Sequence, residues 1–161
     1  MSHGWKVLLL AGAAWCTAGA QAALVDLGNG IVLDDQADLY WLKDANLAKT
    51  SGYHPTGLMT WAEAVAWAEG LEVAGLKGWR LASAGDYPCF QCGTSEYSQL
   101  YAQGIRVPAP ALNDPAGNPG PFVNLPAHNG YYESVTYWTG TPASATLAWA
   151  YVFSGPGHWA D

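Results

Sequence analysis

Apolar positions between Thr60 and Ser83, TWAEAVAWAEGLEVAGLKGWRLAS, change their period partway along. At about 100° per residue, Trp61, Ala64, Val65, Trp67, Ala68 and Leu71 share one stripe while Glu63 and Glu69 lie off it. This pattern predicts an amphipathic helix that packs on a core through two indoles. Thr60 and Glu63 stand at the T-x-x-E spacing of a capping box, in which each side chain takes up a backbone N–H that the first turn leaves unpaired, so the helix starts at Thr60. Gly75 and Gly78 bracket a turn, and Trp79, Arg80 and Leu81 then enter an extended segment. The whole stretch reads as scaffold. Glu63 is a cap, Trp61, Trp67 and Trp79 are packing residues, and Arg80 pairs with an acid or a carbonyl near the core.

Upstream, Leu24–Leu27 and Ile31–Leu33 flank Gly28-Asn29-Gly30, which predicts a hairpin closed where glycine supplies positive φ. A second, shorter helix is expected in TSEYSQLYAQG, with Thr94 or Ser95 as its cap, Tyr97, Leu100 and Tyr101 at helical spacing, and Gly104 as its stop. RVPAPALNDPAGNPGP has almost no apolar period and reads as an extended surface loop. YYESVTYWTGT and LAWAYVFSGPGHWA alternate like strands, with Trp149, Tyr151 and Phe153 on one face and Ala148, Ala150 and Val152 on the other. Aromatic residues at such positions are core residues, and Trp149 is assigned a structural role.

The first 22 residues, MSHGWKVLLLAGAAWCTAGAQA, carry one early lysine, an apolar run from Val7 and an A-x-A site at Ala20-Gln21-Ala22. They read as a secretory signal peptide, with residues 23–161 forming a single domain. No later run is apolar for long enough to be a transmembrane segment. Removing the leader takes Lys6 away and leaves all the acids, so the formal net charge moves from −7 to −8. An acidic surface repels phosphate backbones, which argues against nucleic acid as a partner. Cys16 leaves as well, and Cys89 and Cys92 remain as an even pair in an oxidising compartment.

No constellation of catalytic or metal-ligating type stands out. Asp34, Asp35 and Asp38 lack the order of a calcium loop, and Asn113, Asp114 and Asn118 are ordinary turn residues, so neither group reads as a metal site. His54, His128 and His158 are isolated, which disfavours zinc. Cys89-Phe90-Gln91-Cys92 has C-x-x-C spacing but precedes the second helix without a thioredoxin-like pattern, so a structural disulfide is the better reading. No cofactor is expected. No serine sits in a G-x-S-x-G elbow, and a glycosidase pair of carboxylates is a property of the fold rather than of spacing.

WLKDAN, TGLMTWAEAVAWAEGLEVAGLKGWRLAS, SEYSQLY, PFVNL and YWTGTPASATLAWAYVF together resemble the successive blocks of the Lcl C-terminal domain family of bacterial secreted and surface proteins. The order of blocks also resembles a C-type-lectin-like domain. The resemblance implies an α+β fold with two helices beside small, twisted, mostly antiparallel sheets. It further implies a noncatalytic adhesion or binding module in the periplasm, on the cell surface or outside a bacterium, with a glycan or another cell-surface group as ligand. The alternative is a secreted enzyme on the same fold, either a glycan hydrolase or a thiol-dependent oxidase. Tyr132, Trp138 and Trp159 are the candidate ligand-binding residues, because planar rings stack on the apolar faces of sugars.

Two departures from the family pattern stand out. Ala82 replaces the proline that usually follows W-R-L, and the usual last strand is missing after HWAD. A neighbouring strand then lacks its partner, and either self-association through an open C-terminal edge or lower stability is expected, the alternative being that His158-Trp159-Ala160 already forms a shortened closing strand or that the N-terminal hairpin covers the edge. The leader assignment carries its own test. Intact-mass measurement of exported protein should give a chain that starts at Ala23, whereas a mature chain that retains Met1 would reject it.

Overall fold

In the computed structural model, residues 24–86, 93–107, 117–127, 136–153 and 157–160 are described. Gly28, Asn29 and Gly30 all take positive φ, at 73°, 52° and 85°. They turn strand β1 (Leu24–Gly28) back onto β2 (Ile31–Asp34) in the expected hairpin. A third strand, β3 (Leu39–Leu42), pairs antiparallel with β2, setting Val32 opposite Trp41 and Asp34 opposite Leu39. The acidic run Asp34–Asp38 is the turn between them. Its first member is fully buried: one Asp34 carboxylate oxygen accepts the N–H groups of Gln36 and Ala37 at 3.2 and 3.1 Å, and the other accepts the Gln103 side-chain amide at 2.9 Å. Burial is tolerated because hydrogen bonds occupy both oxygens.

One helical turn, α1 (Leu47–Thr50), was not predicted, since four residues are too few to show a period. Asp44 organises it. Its carboxylate accepts the Asn46 N–H at 2.9 Å, the Thr50 hydroxyl at 2.6 Å and the Asn124 side-chain amide at 2.8 Å. The loop that follows is tied by His54, whose Nδ1 accepts the backbone N–H of Gly57 at 3.1 Å.

Helix α2 (Trp61–Glu69) opens on the capping box: Thr60 Oγ1 accepts the Glu63 N–H at 3.4 Å, and Glu63 Oε2 accepts the Thr60 N–H at 2.8 Å. Its packing differs from expectation. The buried residues are Ala64 and Ala68, while Trp61 and Trp67 are only half-buried. Alanine lets the helix axis come close to strand β4, and the indoles are left at the flanks. Trp61 reaches round to donate its N–H to the Thr139 carbonyl at 2.8 Å, and Trp67 meets the exposed Tyr53 ring at 6.2 Å. Helix α3 (Glu96–Ala102) is capped by Ser95 rather than Thr94: Ser95 Oγ accepts the Ser98 N–H at 2.9 Å, and Gly104 takes the chain out at φ 93°.

A second sheet closes the chain. Strands β4 (Thr136–Pro142), β5 (Ala148–Val152) and β6 (Gly157–Ala160) are antiparallel in the order β4-β5-β6. The architecture is therefore α+β, with three helices and two three-stranded antiparallel sheets among the described residues. The expectation that a neighbouring strand lacks its partner is corrected here. β5 is the central strand, and β6 pairs along its length with Trp149 opposite Ala160 and Tyr151 opposite His158. Four residues are enough to take up the outer backbone groups of β5, and β6 becomes the edge strand of the sheet. Being central, β5 also buries side chains on both faces: Tyr151 on one, Ala148, Ala150 and Val152 on the other.

The extended segment expected from Trp79-Arg80-Leu81 forms no strand of its own. It lies along β4 through the Gly140 N–H to the Ala82 carbonyl at 2.8 Å and the Ala84 N–H to the Thr141 hydroxyl at 3.0 Å. A side chain at Gly140 would crowd the Leu81 carbonyl, at 3.3 Å from its Cβ. The main core joins Val32 of the first sheet, Leu100 of α3, Ile105, Val107 and Phe122 to Tyr151 and Phe153. No helix among the described residues is long and apolar enough to cross a membrane.

Asp34 offers a direct test of this packing. Asp34→Ala should cost about 2–3 kcal/mol because it strands two turn N–H groups and an amide, lowering Tm by roughly 10 °C. Asp34→Asn should cost less, since its carbonyl still caps the turn and Gln103 can rotate its own carbonyl toward the new amide. Thermal melts of both variants check the order.

Candidate functional site

Three segments distant in sequence build one open groove of about 370 Å³. It is lined by Trp61, Val65 and Glu69 of α2, Arg80, Leu81 and Ser83 of the connecting segment, and Gly140 and Thr141 of β4. Ligand clefts span roughly 300–1,000 Å³, so this one suits a small ligand or one unit of a polymer. Its position follows from the packing of α2. Ala64 and Ala68 seat the helix on the sheet, and the side chains flanking them become one wall.

Arg80 forms the opposite wall. Its guanidinium makes a bidentate pair with Glu96, Nη1 to Oε2 at 2.8 Å and Nη2 to Oε1 at 2.6 Å, and a further Nη1–H reaches the Leu81 carbonyl at 3.0 Å. Glu96 Oε2 also accepts the Ser83 N–H at 2.6 Å, so one carboxylate holds both the side chain and the backbone of this segment. Burial works to raise the Glu96 pKa, but the Arg80 hydrogen bonds and the Ser83 N–H together outweigh it and hold the carboxyl below its ordinary value near 4.5. The Nε–H and the outer Nη2–H of Arg80 have no protein partner among the described residues, and the side chain is 56% exposed.

Trp61 is fixed as firmly. Its N–H bond to the Thr139 carbonyl and its place on the first turn of α2 restrict the orientation of the indole plane. Glu69 ends the same helix. The Thr141 hydroxyl at the far rim accepts the Ala84 N–H. A second hollow of about 450 Å³ lies between the β1–β2 turn and residues 71–74, where Asp44 is already committed to α1 and Asn124.

The residues singled out from sequence fall in several places. Trp138 is half-buried and donates its indole N–H to the Met59 carbonyl at 2.9 Å, bracing β4 against the loop before α2. Trp159 lies in β6 opposite Ala150, with its side chain outside the described residues. Tyr132, Cys89 and Cys92 also lie outside them. Trp79 is half-buried, its N–H on the Leu76 carbonyl at 3.0 Å, and Trp149 is half-buried in β5. The structure thus brings Trp61 and Arg80 together at the groove, and no described contact joins either of them to the Trp138 side chain.

Sequence reasoning named none of Glu69, Ser83 and Thr141 as a site residue: it placed Glu69 off the apolar stripe, rejected Ser83 as a nucleophile and left Thr141 unassigned. Glu69 did leave a signal: an acid in the last turn of a helix opposes the macrodipole, and the residue four places on is Val73, which cannot pair with it. Among the described residues, no three of His, Cys, Asp or Glu cluster to hold a metal. No protein-family model, curated protein or solved structure matches the chain.

The Arg80–Glu96 pair predicts a pH dependence with a definite sign. Because the folded-state pKa of Glu96 is depressed, its contribution is complete above the ordinary value near 4.5 and is lost as pH falls through the depressed one. Glu96→Gln should be less stable at neutral pH by about 1 kcal/mol, discounted for the exposure of Arg80. The gap should close as pH drops well below 4.5. Paired thermal melts from pH 7 to pH 3 check it, and a constant gap would contradict it.

Proposed function

We propose that this chain is a secreted, noncatalytic binding or adhesion module of C-type-lectin-like architecture that takes a glycan in the groove beside Trp61. One observation carries the reading: a ring locked by its own N–H bond faces the same groove as a guanidinium locked by a carboxylate. Sugar rings present an apolar face of C–H groups and a rim of hydroxyls. A fixed aromatic plane matches the face, and fixed planar hydrogen-bonding groups match the rim.

The rest of the molecule supports the choice. Asp26 is paired with Lys43 at 2.6 Å, Asp34 and Asp44 close turns, Glu63 caps α2 and Glu96 holds Arg80. These five carboxylates are committed to the fold, and a single uncommitted acid among the described residues of the groove, Glu69, lacks the second carboxylate that a glycosidase pair needs. The succession of α2, the RLAS segment, α3 and a terminal antiparallel sheet supports the lectin-like assignment, and the leader supports a site of action outside the cytoplasm.

A glycan array probed with the exported chain tests the proposal. Binding should appear without turnover, and Trp61→Ala should weaken it by roughly tenfold or more. Trp67→Ala, on the other flank of α2, should leave it within a factor of about two. Circular dichroism checks that both variants fold. Hydrolysis of any bound glycan, or binding indifferent to Trp61, would overturn the reading.

A further inference from the structure

Glu69 has no structural occupation. It is exposed at the last position of α2, where a negative charge meets the negative end of the helix dipole, and no hydrogen bond or ion pair engages it among the described residues. A residue that works against its own helix and lines the groove is accounted for by what the groove holds. Its neighbours define the chemistry. Arg80 offers two unengaged N–H donors, but its charge is already balanced by Glu96 at 2.6 Å. Glu69 offers acceptors only. The local charge of Arg80, Glu96 and Glu69 is therefore one negative unit, within a chain of formal net charge −7.

We infer that the groove selects a neutral pyranose through neighbouring hydroxyls, with Glu69 accepting from one, Arg80 donating to the next and Trp61 under the ring, and that it rejects carboxylated or sulfated sugars. This rests on the proposed glycan binding and narrows it to a ligand class. A hydroxyl both donates and accepts, so two neighbouring hydroxyls satisfy an acceptor and a donor together. A sugar carboxylate or sulfate has no hydrogen to give Glu69 and finds Arg80 already neutralised. The repulsion acts over a few ångströms, inside the screening length of about 8 Å at physiological salt.

The test uses the full exported chain at fixed ionic strength, titrated with neutral hexose oligosaccharides and with matched oligosaccharides that carry glucuronate or sulfate. Neutral ligands should bind at least tenfold more tightly than acidic ones. Glu69→Gln should weaken neutral binding about tenfold, with Tm unchanged or slightly raised because the unfavourable charge at the helix end is gone. Glu69→Lys should move the preference toward acidic sugars, a gain that a purely structural role would not produce. A native preference for acidic sugars would overturn the inference while leaving glycan binding in place. So would neutral binding that Glu69→Gln leaves within a factor of two. If the native chain binds neither class, the glycan reading itself fails, and this inference fails with it.

Discussion

Tyr97 packs against rings from both sheets. From the first turn of α3 it meets Trp41 of β3 at 5.7 Å, Tyr137 of β4 at 5.9 Å, Tyr151 of β5 at 5.7 Å and Phe153, just past β5, also at 5.7 Å. Sheets of three short strands have little apolar face of their own, so each depends on what packs against it. Both faces are completed by the same helix. The seating of α3 therefore decides the relation between the N-terminal hairpin and the C-terminal sheet, and the buried Ser95 cap and the Gln103–Asp34 bond secure its two ends. Glu96 and Tyr97 are consecutive. One holds Arg80, which lines the groove, while the next packs against the core, so the candidate site is attached to a turn that the core also fixes.

An aromatic core of this kind leaves some polar atoms unpaired. The Tyr137 hydroxyl, the Trp41 indole N–H and one oxygen of Gln103 are buried without a partner among the described residues. Each such atom costs about 1–3 kcal/mol. A fully buried aromatic side chain removes roughly 150–250 Å² from water, worth about 4–6 kcal/mol at 25 cal/mol per Å². The area wins. The same burial pushes the Tyr97 and Tyr137 phenols well above their ordinary value near 10. The rings act as large apolar bodies, with the Tyr97 hydroxyl within 3.4 Å of the Trp138 carbonyl.

Local signals in the sequence survived into the structure wherever a few neighbouring residues settle the outcome. The glycines around Asn29 make the hairpin, Thr60 and Glu63 make the cap, and the Ser95-to-Gly104 interval makes α3. Failures occurred where distant segments decide. The stripe on α2 was correctly placed, yet period alone cannot say whether alanine or tryptophan sits at the point of closest approach, because that depends on the distance to β4. Asp34 looked like one more solvated acid and is fully buried, since its partner Gln103 is 69 residues away. The edge of β5 was read as open, with His158-Trp159-Ala160 as a shortened closing strand only the alternative, because four residues after a glycine-rich segment carry too short an alternation to decide the matter. The candidate groove was invisible for the same reason. Trp61, Arg80 and Thr141 were each assigned or passed over singly, and only the fold makes them neighbours.

Scaffold and site are not alternatives in the stretch from Thr60 to Ser83. Trp61 packs and bonds to a carbonyl 78 residues away, Arg80 is clamped by an acid 16 residues on, and both still line the groove. Bonds that fix the fold also fix the orientation of the two groups a ligand would meet, so the conformational entropy of ordering them is lost on folding and not again on binding. Glu69 is the exception, and the contrast is informative. It contributes no cap, no pair and an unfavourable dipole contact, so nothing in the stability of the chain accounts for a charge there. On the glycan reading proposed above, the groove's other walls are held by the fold, and the side chain that the fold does not use is the one left to choose among ligands.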